Sequence, residues 1–441
     1  MPEDKPDLEK FDLVVLGGGV AGAAAAYAAA SKTKKEGERF NIALVSDEKA
    51  VYSRGALPSL IANEVHSLKE IIVYPTSTLE KLGIKYFRLH EACSVNFKDR
   101  LVLTKNLENG KKREVNFEKL IICTGSVPEI LQVEGVNLKG VYAIKWFKDA
   151  EELSKTAKPK MRALVVGPGF IGMATANALA KRGLKVTIVA RTRILSYVLE
   201  PFLGDYVRHK AESMGLKIMS ESKLQEIGGQ RKIKYAKIND EKFDFDIVVL
   251  ATGVNPRTEI FSETGLKLTD YGAVRTDKKM QTNMEGIYSV GDCAEKLDLI
   301  TGKKVLRPLG SLATRTAEIA GLNALGEEIE FEGSIRRQYD NIFGLHITSM
   351  GLTSREAQTL GVNTESLPVK VSAEASHDKE LLKRPYETKM CVVIEKGTER
   401  IVGWQSVGTL KLTNLYSVYL NELIKNRKKV ADLQEAGLKI S

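Results

Sequence analysis

The chain has 441 residues, 43% of them hydrophobic and 28% charged, a composition typical of a globular protein and not of a wholly disordered one. At about 100–200 residues per domain this length indicates roughly two to four domains, and we expect three. The net charge of +10 slightly favours acidic substrates, an acidic protein partner or an anionic membrane surface, although a solvated lysine-rich surface gives the same balance. With no nucleic-acid-binding motif in the sequence, we expect no nucleic-acid partner.

The amino-terminal stretch MPEDKPDLEK lacks the basic and apolar parts of a secretory signal, and no run of about 18 apolar residues occurs. We therefore expect a cytoplasmic protein without a transmembrane segment. The four cysteines lie far apart in the sequence, so it predicts neither a metal site nor a local dithiol. They are Cys93, Cys123, Cys293 and Cys391.

The first predicted unit starts at Phe11, with the stretch FDLVVLGGGVAGAAAAYAAAS. An apolar strand is followed by Gly17, Gly19 and Gly22 and then by an alanine-rich helix. The first glycine allows a tight turn, the second lets the main chain approach a pyrophosphate, and the third lets helix and strand pack closely. The helix N-terminus favours phosphate, so the pattern predicts a dinucleotide site. We also expect cofactor contacts from Val20 and Ala21.

The next predicted strand, NIALVSDE, should end in a carboxylate that accepts hydrogen bonds from an adenosine ribose. Position 46 is a serine, so Asp47 or Glu48 must supply that carboxylate. We favour Asp47.

A second dinucleotide pattern begins at Met161 and reads MRALVVGPGFIGMATANALAKRGLKVTIVARTR. Gly167, Gly169 and Gly172 again lie between a strand and a helix. Two such patterns in one chain imply two dinucleotides. Phe170 and Ile171, at the start of this helix, are further candidate contacts.

The second strand of this unit ends differently from that of the first unit. No acidic residue follows VTIV, but Arg191 and Arg193 do. Guanidinium groups bind phosphate oxygens through two hydrogen bonds, so the two arginines predict a site for the 2′-phosphate of NADPH in preference to NADH. Two ordinary surface arginines are the alternative.

Three further segments are strands that run into short polar turns. They are LIICTGSVP (120–128), DIVVLATGVNP (246–256) and GIYSVGDCAE (286–295). The first two predict crossings between nucleotide domains, and the third places Asp292 to accept a hydrogen bond from a sugar-alcohol hydroxyl. The candidate cofactor contacts in these turns are Thr124, Gly125, Thr252, Gly253, Gly291 and Asp292.

Taken in order, these elements resemble the pyridine nucleotide-disulfide oxidoreductase family over roughly residues 11–430. The resemblance implies an α/β fold with two Rossmann-like domains and an α+β carboxy-terminal dimerisation domain. It implies an FAD-binding domain at 1–147 and 271–334, an NAD(P)H-binding domain at 148–270 and the dimerisation domain at 335–441, in a homodimer. By the same resemblance, the segment RPLGSLATRTAEIAG aims a helix N-terminus at the flavin ring. Its candidate contacts are Gly310, Ser311, Leu312 and Ala313.

Within the family, the stretch YSRGALPSLIANEV is most similar to coenzyme A disulfide reductases and related NADH oxidases. Their single redox cysteine lies at the position of Gly55. Glycine is not a nucleophile, which excludes thiol-disulfide exchange through this position. The small Ser59 nearby adds to the space, so a small organic acceptor is expected to bind there directly. Tyr52, Ser53 and Arg54 are the polar groups expected to meet it, and Arg54 is also a candidate flavin contact.

Other features depart from the relatives. Ala174 stands where relatives commonly place a glutamate near the nicotinamide, and the first helix lacks the arginine of coenzyme A-using relatives. Phe170 matches an aromatic residue that gates the nicotinamide pocket, or is a core residue at a helix start. The strands MCVVIEKG and RIVGWQSVG are predicted to share one antiparallel sheet. The basic final helix LNELIKNRKKVADL predicts contact with a membrane surface or an acidic protein, or a face that is simply solvated.

The preferred function is an FAD-dependent NAD(P)H oxidoreductase that passes a hydride from NADPH to flavin and the electrons to a non-disulfide acceptor. Candidate acceptors are a quinone, a small electron-carrier protein and dioxygen. One alternative is a flavin-binding scaffold or regulatory subunit with little catalysis. Another is a coenzyme A disulfide or sulfur reductase whose route does not use a thiol at position 55.

Overall fold

A computed structural model describes residues 7–371, 388–408, 412–436 and 438–440. The helices are α1 (Val20–Glu36), α2 (Leu57–Ile61), α3 (Thr76–Lys81), α4 (Phe147–Thr156), α5 (Phe170–Lys181), α6 (Pro201–Ser213), α7 (Gly310–Asn323), α8 (Ser354–Thr359) and α9 (Leu412–Lys425). The first strands are β1 (Asp7–Leu16), β2 (Ile42–Val45), β3 (Val51–Tyr52), β4 (Ile72–Tyr74), β5 (Lys85–Phe87), β6 (His90–Asn96), β7 (Leu101–Asn106), β8 (Lys112–Ile122), β9 (Ser126–Pro128), β10 (Val141–Ala143), β11 (Arg162–Val166), β12 (Lys185–Val189) and β13 (Lys217–Met219). The remaining strands are β14 (Leu224–Gly229), β15 (Ile233–Ile238), β16 (Glu241–Asp244), β17 (Ile247–Leu250), β18 (Val254–Pro256), β19 (Ile287–Ser289), β20 (Lys296–Leu297), β21 (Lys304–Val305), β22 (Arg337–Ile342), β23 (Leu345–Gly351), β24 (Thr364–Val371), β25 (Lys389–Glu395), β26 (Ile401–Gly408) and β27 (Leu438–Ile440).

The first large sheet has the strand order β5-β2-β1-β8-β7-β6, with β19 paired to β8. Strand β1 is parallel to both β2 and β8. Helices α1 and α7 pack against this sheet and against each other. The small alanine side chains of α1 allow a close approach, and a Cβ on Gly321 of α7 would overlap the Ala25 carbonyl.

The second large sheet is wholly parallel, in the order β10-β17-β11-β12-β13. Its interior strand β17 is buried along its length, as expected for a parallel strand covered on both faces. The two Thr-Gly segments meet in an antiparallel ribbon of β9 and β18, so both crossings lie side by side. The first sheet is parallel around β1 and antiparallel at β6, β7 and β8, and the second is parallel throughout. Each has a glycine turn between strand and helix, which confirms the predicted fold class.

The third large sheet is antiparallel, in the order β22-β23-β26-β25-β24-β27. Strands β25 and β26 pair within it, which confirms the prediction that these two segments share one sheet. The final helix α9 turns Leu420, Leu423 and Ile424 into the core beneath this sheet. Among the described residues, no helix is both long and apolar enough to cross a membrane.

A buried network of charges joins the segment before α7 to the antiparallel sheet. Arg307 pairs with Asp298 and lies 3.1 Å from Glu356, and Arg336 lies 3.3 Å from the same glutamate. Because unpaired buried charges are costly, these pairs hold the two regions in one arrangement.

Candidate active site

The first glycine turn joins β1 to α1. Gly17 has a φ of 119°, and a Cβ there would overlap the carbonyl of Cys123. A Cβ on Gly22 would overlap the carbonyl of Gly17, so this residue lets the helix pack onto the turn. A Cβ on Gly19 would meet no protein atom within 4 Å. The open side of Gly19 leaves room for a pyrophosphate at the helix N-terminus, and the turn therefore fits an FAD cofactor.

This turn opens into a cavity of about 770 Å³ that also reaches the Gly55 segment, the start of α5 and strand β22. It brings together many of the sequence-predicted site residues: Gly17, Gly19, Val20, Ala21, Asp47, Glu48, Tyr52, Ser53, Arg54, Gly55, Thr124, Gly125, Phe170, Ile171, Gly291, Asp292, Gly310, Ser311 and Ala313. Nine other predicted residues lie outside its lining: Gly22, Leu312, Gly167, Gly169, Gly172, Arg191, Arg193, Thr252 and Gly253.

The Gly55 segment is a short turn between β3 and α2. Gly55 is exposed, and its φ lies outside the left-handed region that favours glycine. A Cβ there would have only one neighbour within 4 Å, the Ser53 hydroxyl at 3.8 Å. The backbone therefore does not require glycine at this position, and a cysteine side chain would fit.

The side chains before Gly55 are tied into a hydrogen-bonded cluster. The Tyr52 hydroxyl donates to Glu48 Oε1 at 2.7 Å and accepts from the Phe147 N–H at 2.7 Å. Arg54 lies 3.7 Å from the same glutamate. Burial raises the pKa of Glu48 and that of Tyr52. Since Tyr52 is bonded on both sides, Arg54 and Ser53 are the freer polar groups beside Gly55.

Both candidate ribose carboxylates line the cavity, in different environments. Asp47 lies 2.5 Å from Arg257, whose guanidinium also lies 3.1 Å from Glu91. Glu48 is the more buried of the two carboxylates, with a side chain 16% exposed against 28% for Asp47. The better solvated Asp47 is the easier one to reach with a ribose hydroxyl.

Asp292 lies on the cavity wall beside two residues that no sequence motif marked. Its carboxylate accepts from Ser126 Oγ at 2.9 Å and from Lys145 Nζ at 3.3 Å. Lys145 Nζ also donates to Ser126 Oγ at 2.6 Å. Burial lowers the pKa of Lys145. The three side chains place a carboxylate and an ammonium on the same wall, and only the fold brings them together.

The N-terminus of α7 faces the same cavity. Leu309 precedes the helix and offers no side-chain cap, so the first N–H groups of the helix are left for another acceptor. Gly310, Ser311 and Ala313 line the cavity, while Leu312 is buried in the core. The helix end is placed to favour negative charge in the cavity.

The second glycine turn repeats the geometry of the first. Gly167 has a φ of 130°, and a Cβ on Gly172 would overlap its carbonyl. Of the helix that follows, Phe170 and Ile171 reach the cavity, together with Ala174. The adjoining Thr252 uses its hydroxyl to donate to the Glu129 carbonyl at 2.8 Å, away from the cavity lining.

The two arginines after β12 differ in their surroundings. Arg191 is exposed. Arg193 is half-buried, and its two terminal nitrogens lie 3.3 and 3.4 Å from the Leu199 carbonyl. Burial lowers the pKa of Arg193. The structure therefore presents Arg191 to solvent and commits Arg193 to the loop before α6.

Strand β22 supplies a cavity wall that no sequence motif predicts. Arg337, Gln338, Tyr339 and Asp340 line it. Burial raises the pKa of Asp340. Its carboxyl lines the same cavity as Ala174, where relatives were expected to carry a glutamate. The only sequence signal here is the alternating pattern of a β-strand. Such a pattern does not indicate which side chains contact a ligand.

Within the described cavity lining, Cys123 is the one cysteine. It is buried, and burial raises the pKa of its thiol well above the usual range, which makes it a poor nucleophile. Cys293 and Cys391 are buried and Cys93 is exposed. Across the described residues, no group of three or more His, Cys, Asp and Glu side chains is arranged to hold a metal ion.

Several known proteins are similar to this chain in sequence and in architecture. The family model described as pyridine nucleotide-disulphide oxidoreductase matches residues 11–305. An NADH oxidase of Methanocaldococcus jannaschii is 30% identical over 81% of this chain and 78% of its own length. A coenzyme A-dependent NAD(P)H sulfur oxidoreductase of Pyrococcus furiosus is 27% identical over 91% of this chain and 89% of its own. The structure of an NAD-dependent persulfide reductase from A. fulgidus superposes with a TM-score of 0.88 at 26% identity, over 98% of this chain and 80% of that protein.

Proposed function

The chain belongs to the pyridine nucleotide-disulphide oxidoreductase family, and from that premise we propose that it oxidises NADPH and delivers the electrons to an acceptor other than a protein disulfide. As a member it is an FAD-dependent NAD(P)H oxidoreductase. The observation that carries the finer proposal is the single cavity that joins the first glycine turn, Gly55 and the start of α5.

The residues of the first fold would hold FAD. The turn at Gly17 and Gly19 would receive the pyrophosphate, and Asp292 would accept a hydrogen bond from a sugar-alcohol hydroxyl. Bound FAD supplies two-electron chemistry between a nicotinamide and a second substrate. Lys145 and the N-terminus of α7 add positive charge to the cavity wall, which stabilises negative charge there.

The second fold would hold NADPH at the rim of the cavity. Phe170 lines the cavity where a nicotinamide would enter from the second glycine turn. The exposed Arg191 at the end of β12 supports selection of the 2′-phosphate. The presence of both glycine turns supports two nucleotide sites and weighs against a scaffold with little catalysis.

The acceptor would bind at Gly55, where the missing side chain leaves open space. Quinones and small electron carriers need only access to this part of the cavity. With dioxygen the reaction balances as NADPH + H⁺ + O₂ → NADP⁺ + H₂O₂. It would stop at peroxide, because no thiol stands at position 55 to reduce peroxide further.

A second candidate acceptor is an external persulfide, favoured by the activities named for the Pyrococcus and A. fulgidus proteins. The reaction RSS⁻ + NADPH → RS⁻ + HS⁻ + NADP⁺ transfers two electrons into the S–S bond and cleaves it. The acceptor would bring both sulfur atoms itself, so this route needs no residue-55 thiol.

The test is an anaerobic titration of the FAD-loaded protein with NADPH and with NADH, followed by flavin absorbance. We expect bleaching that is faster with NADPH. Absence of bleaching with either nucleotide would reject the proposal in favour of a non-catalytic flavoprotein. Dioxygen, a quinone, a ferredoxin or a low-molecular-weight persulfide is then added in separate samples, and the acceptor class is the one that restores the absorbance within a turnover.

A further inference from the structure

Two arginines after β12 were predicted to bind the 2′-phosphate. Arg193 is held by a contact within the fold, whereas Arg191 is exposed. The Arg193 guanidinium contacts the Leu199 carbonyl, and a Cβ on Gly204 of α6 would lie 2.7 Å from it. Arg191 points to solvent. A single flexible arginine is a weak phosphate site, so a second donor from elsewhere in the fold is needed.

Arg355 of α8 reaches this same loop from the carboxy-terminal part of the chain. Its Nη1 donates to Ser196 Oγ at 2.8 Å and lies 3.4 Å from Thr192 Oγ1. The centre of its guanidinium lies 4.1 Å from the centroid of the Tyr197 ring. The Thr192 and Ser196 hydroxyls are 3.2 Å apart. Two hydroxyls and a guanidinium thus meet in the loop that begins with Arg191.

These groups have the chemistry of a phosphate site. A guanidinium is permanently charged and offers paired N–H donors, and the partly exposed Thr192 hydroxyl can turn its hydrogen toward an anion. Stacking on Tyr197 fixes the plane of the Arg355 guanidinium, which reduces the entropy lost on binding. Tyr197 is 54% exposed and Thr192 and Arg355 are partly exposed, so their side of the cluster reaches solvent, whereas Ser196 is buried beneath it.

We propose that Arg355 is the second cation of the site for the 2′-phosphate of NADPH, acting with Arg191 and with the Thr192 hydroxyl, while the buried Ser196 hydroxyl holds the Arg355 guanidinium in place. The inference rests on the proposed function, which places NADPH on the second fold. It replaces Arg193 in that site and makes the carboxy-terminal part of the chain a determinant of cosubstrate selectivity.

The first test compares kcat/KM of the FAD-loaded enzyme for NADPH and NADH. Arg355→Met should lower the NADPH value about 10- to 100-fold, the range expected for loss of a charge-assisted contact to phosphate, and change the NADH value less than about twofold. Arg355→Lys should recover only part of the NADPH value, because an ammonium lacks the fork. The matched control is Arg427→Met, which removes the same charge from an exposed position and should leave both values unchanged.

The second test does not depend on flavin. Calorimetry measures binding of adenosine 2′,5′-bisphosphate and of adenosine 5′-monophosphate to each variant, with thermal melting to establish that it is folded. Arg355→Met should weaken only the bisphosphate. If Arg355→Met does not fold, Arg355→Lys takes the same comparison.

Unchanged binding of the bisphosphate by a folded variant, or equal loss of both ligands, would overturn the role of Arg355. A wild-type enzyme that favours NADH would instead overturn the NADPH half of the proposed function. The two failures are therefore distinguishable.

Discussion

The two dinucleotide folds of this chain share a turn and differ in what surrounds it. Gly17 and Gly167 have φ values of 119° and 130°, and each lies under the third glycine of its motif. The next strands, β2 and β12, are followed by Asp47 and Glu48 in the first fold and by Ala190 and Arg191 in the second. The shared turn answers a backbone requirement common to all pyrophosphates, while the residues after the second strand select the ligand.

The two glycine turns also differ in whether they lie within the cavity. Gly17 and Gly19 line the cavity, whereas Gly167 and Gly169 lie outside its lining and only the first residues of α5 reach it. A nucleotide on the first turn would be enclosed, and one on the second turn would remain open to exchange. This difference suits a resident cofactor in the first site and a cosubstrate that leaves after each turnover in the second.

The largest effects are expected from filling the open side of each turn. Gly19→Val should reduce bound FAD to below about one-tenth, because the new side chain occupies the space where the pyrophosphate would approach. Gly169→Val should leave FAD in place and prevent bleaching by NADPH. Flavin content after purification and the anaerobic titration measure the two effects. Loss of FAD in both variants would show that the two sites are not independent.

The next largest effect, on the preference for NADPH over NADH, is expected at the two arginines that follow β12. Arg191→Glu should lower kcat/KM for NADPH roughly 100-fold and that for NADH far less, since it removes a phosphate donor and adds a like charge. Arg193→Met should shift the ratio of the two values little, because its guanidinium already serves the Leu199 carbonyl. An equal shift from both substitutions would mean that Arg193 leaves the protein surface to bind the nucleotide.

A smaller effect, of up to about tenfold, is expected at the turn that carries Asp292 in the first fold. Lys296 is 2% exposed, and its ammonium donates to the carbonyls of Gly291 and Ala294, the latter at 2.8 Å. Burial lowers its pKa to about 8, an effect that the nearby carboxylate of Asp292 opposes. Loss of this charge leaves Asp292 and the carbonyls of its turn without their partner, so FAD retention should weaken as pH rises from 7 to 9.

The pH dependence of the free energy of unfolding has the opposite sign. The folded pKa of Lys296 lies below its ordinary value of 10.5, so the unfolded chain holds the proton between about pH 8 and 10.5 and the contribution to stability rises with pH there. Lys296→Met should remove both trends relative to wild type, as measured by flavin release and by denaturant unfolding of the apoprotein. Lys304→Met, on the paired strand β21, is the control. The same pH slope in Lys296→Met as in wild type would contradict the assignment.

Much of the framework was predictable because it is encoded locally. Glycine spacing, apolar strands and the alanine-rich α1 identified both folds, and Gly291 with Asp292 was placed at the end of its strand. Lys145 and Asp340 were not predictable, because each reaches the cavity through tertiary packing and stands in no motif. Arg193 shows the opposite limit of prediction from sequence. Its residue type and spacing are those of a phosphate ligand, but its guanidinium contacts the Leu199 carbonyl.

The smallest expected effect distinguishes Gly22, where the fold requires a glycine, from Gly55, where it does not. Gly55→Ala should raise the free energy of unfolding by about 0.4–1 kcal/mol, because its φ suits any residue, its Cβ would meet only Ser53, and alanine restricts the unfolded chain. Gly22→Ala should instead destabilise, since its Cβ would overlap the carbonyl of Gly17. Denaturant unfolding of the two variants gives the comparison, and FAD content should stay unchanged in Gly55→Ala. If turnover with the true acceptor then falls while the flavin is still bleached by NADPH at the wild-type rate, the space at Gly55 serves the acceptor. A Gly55→Ala variant that unfolds more easily than wild type would show that the glycine is structural after all.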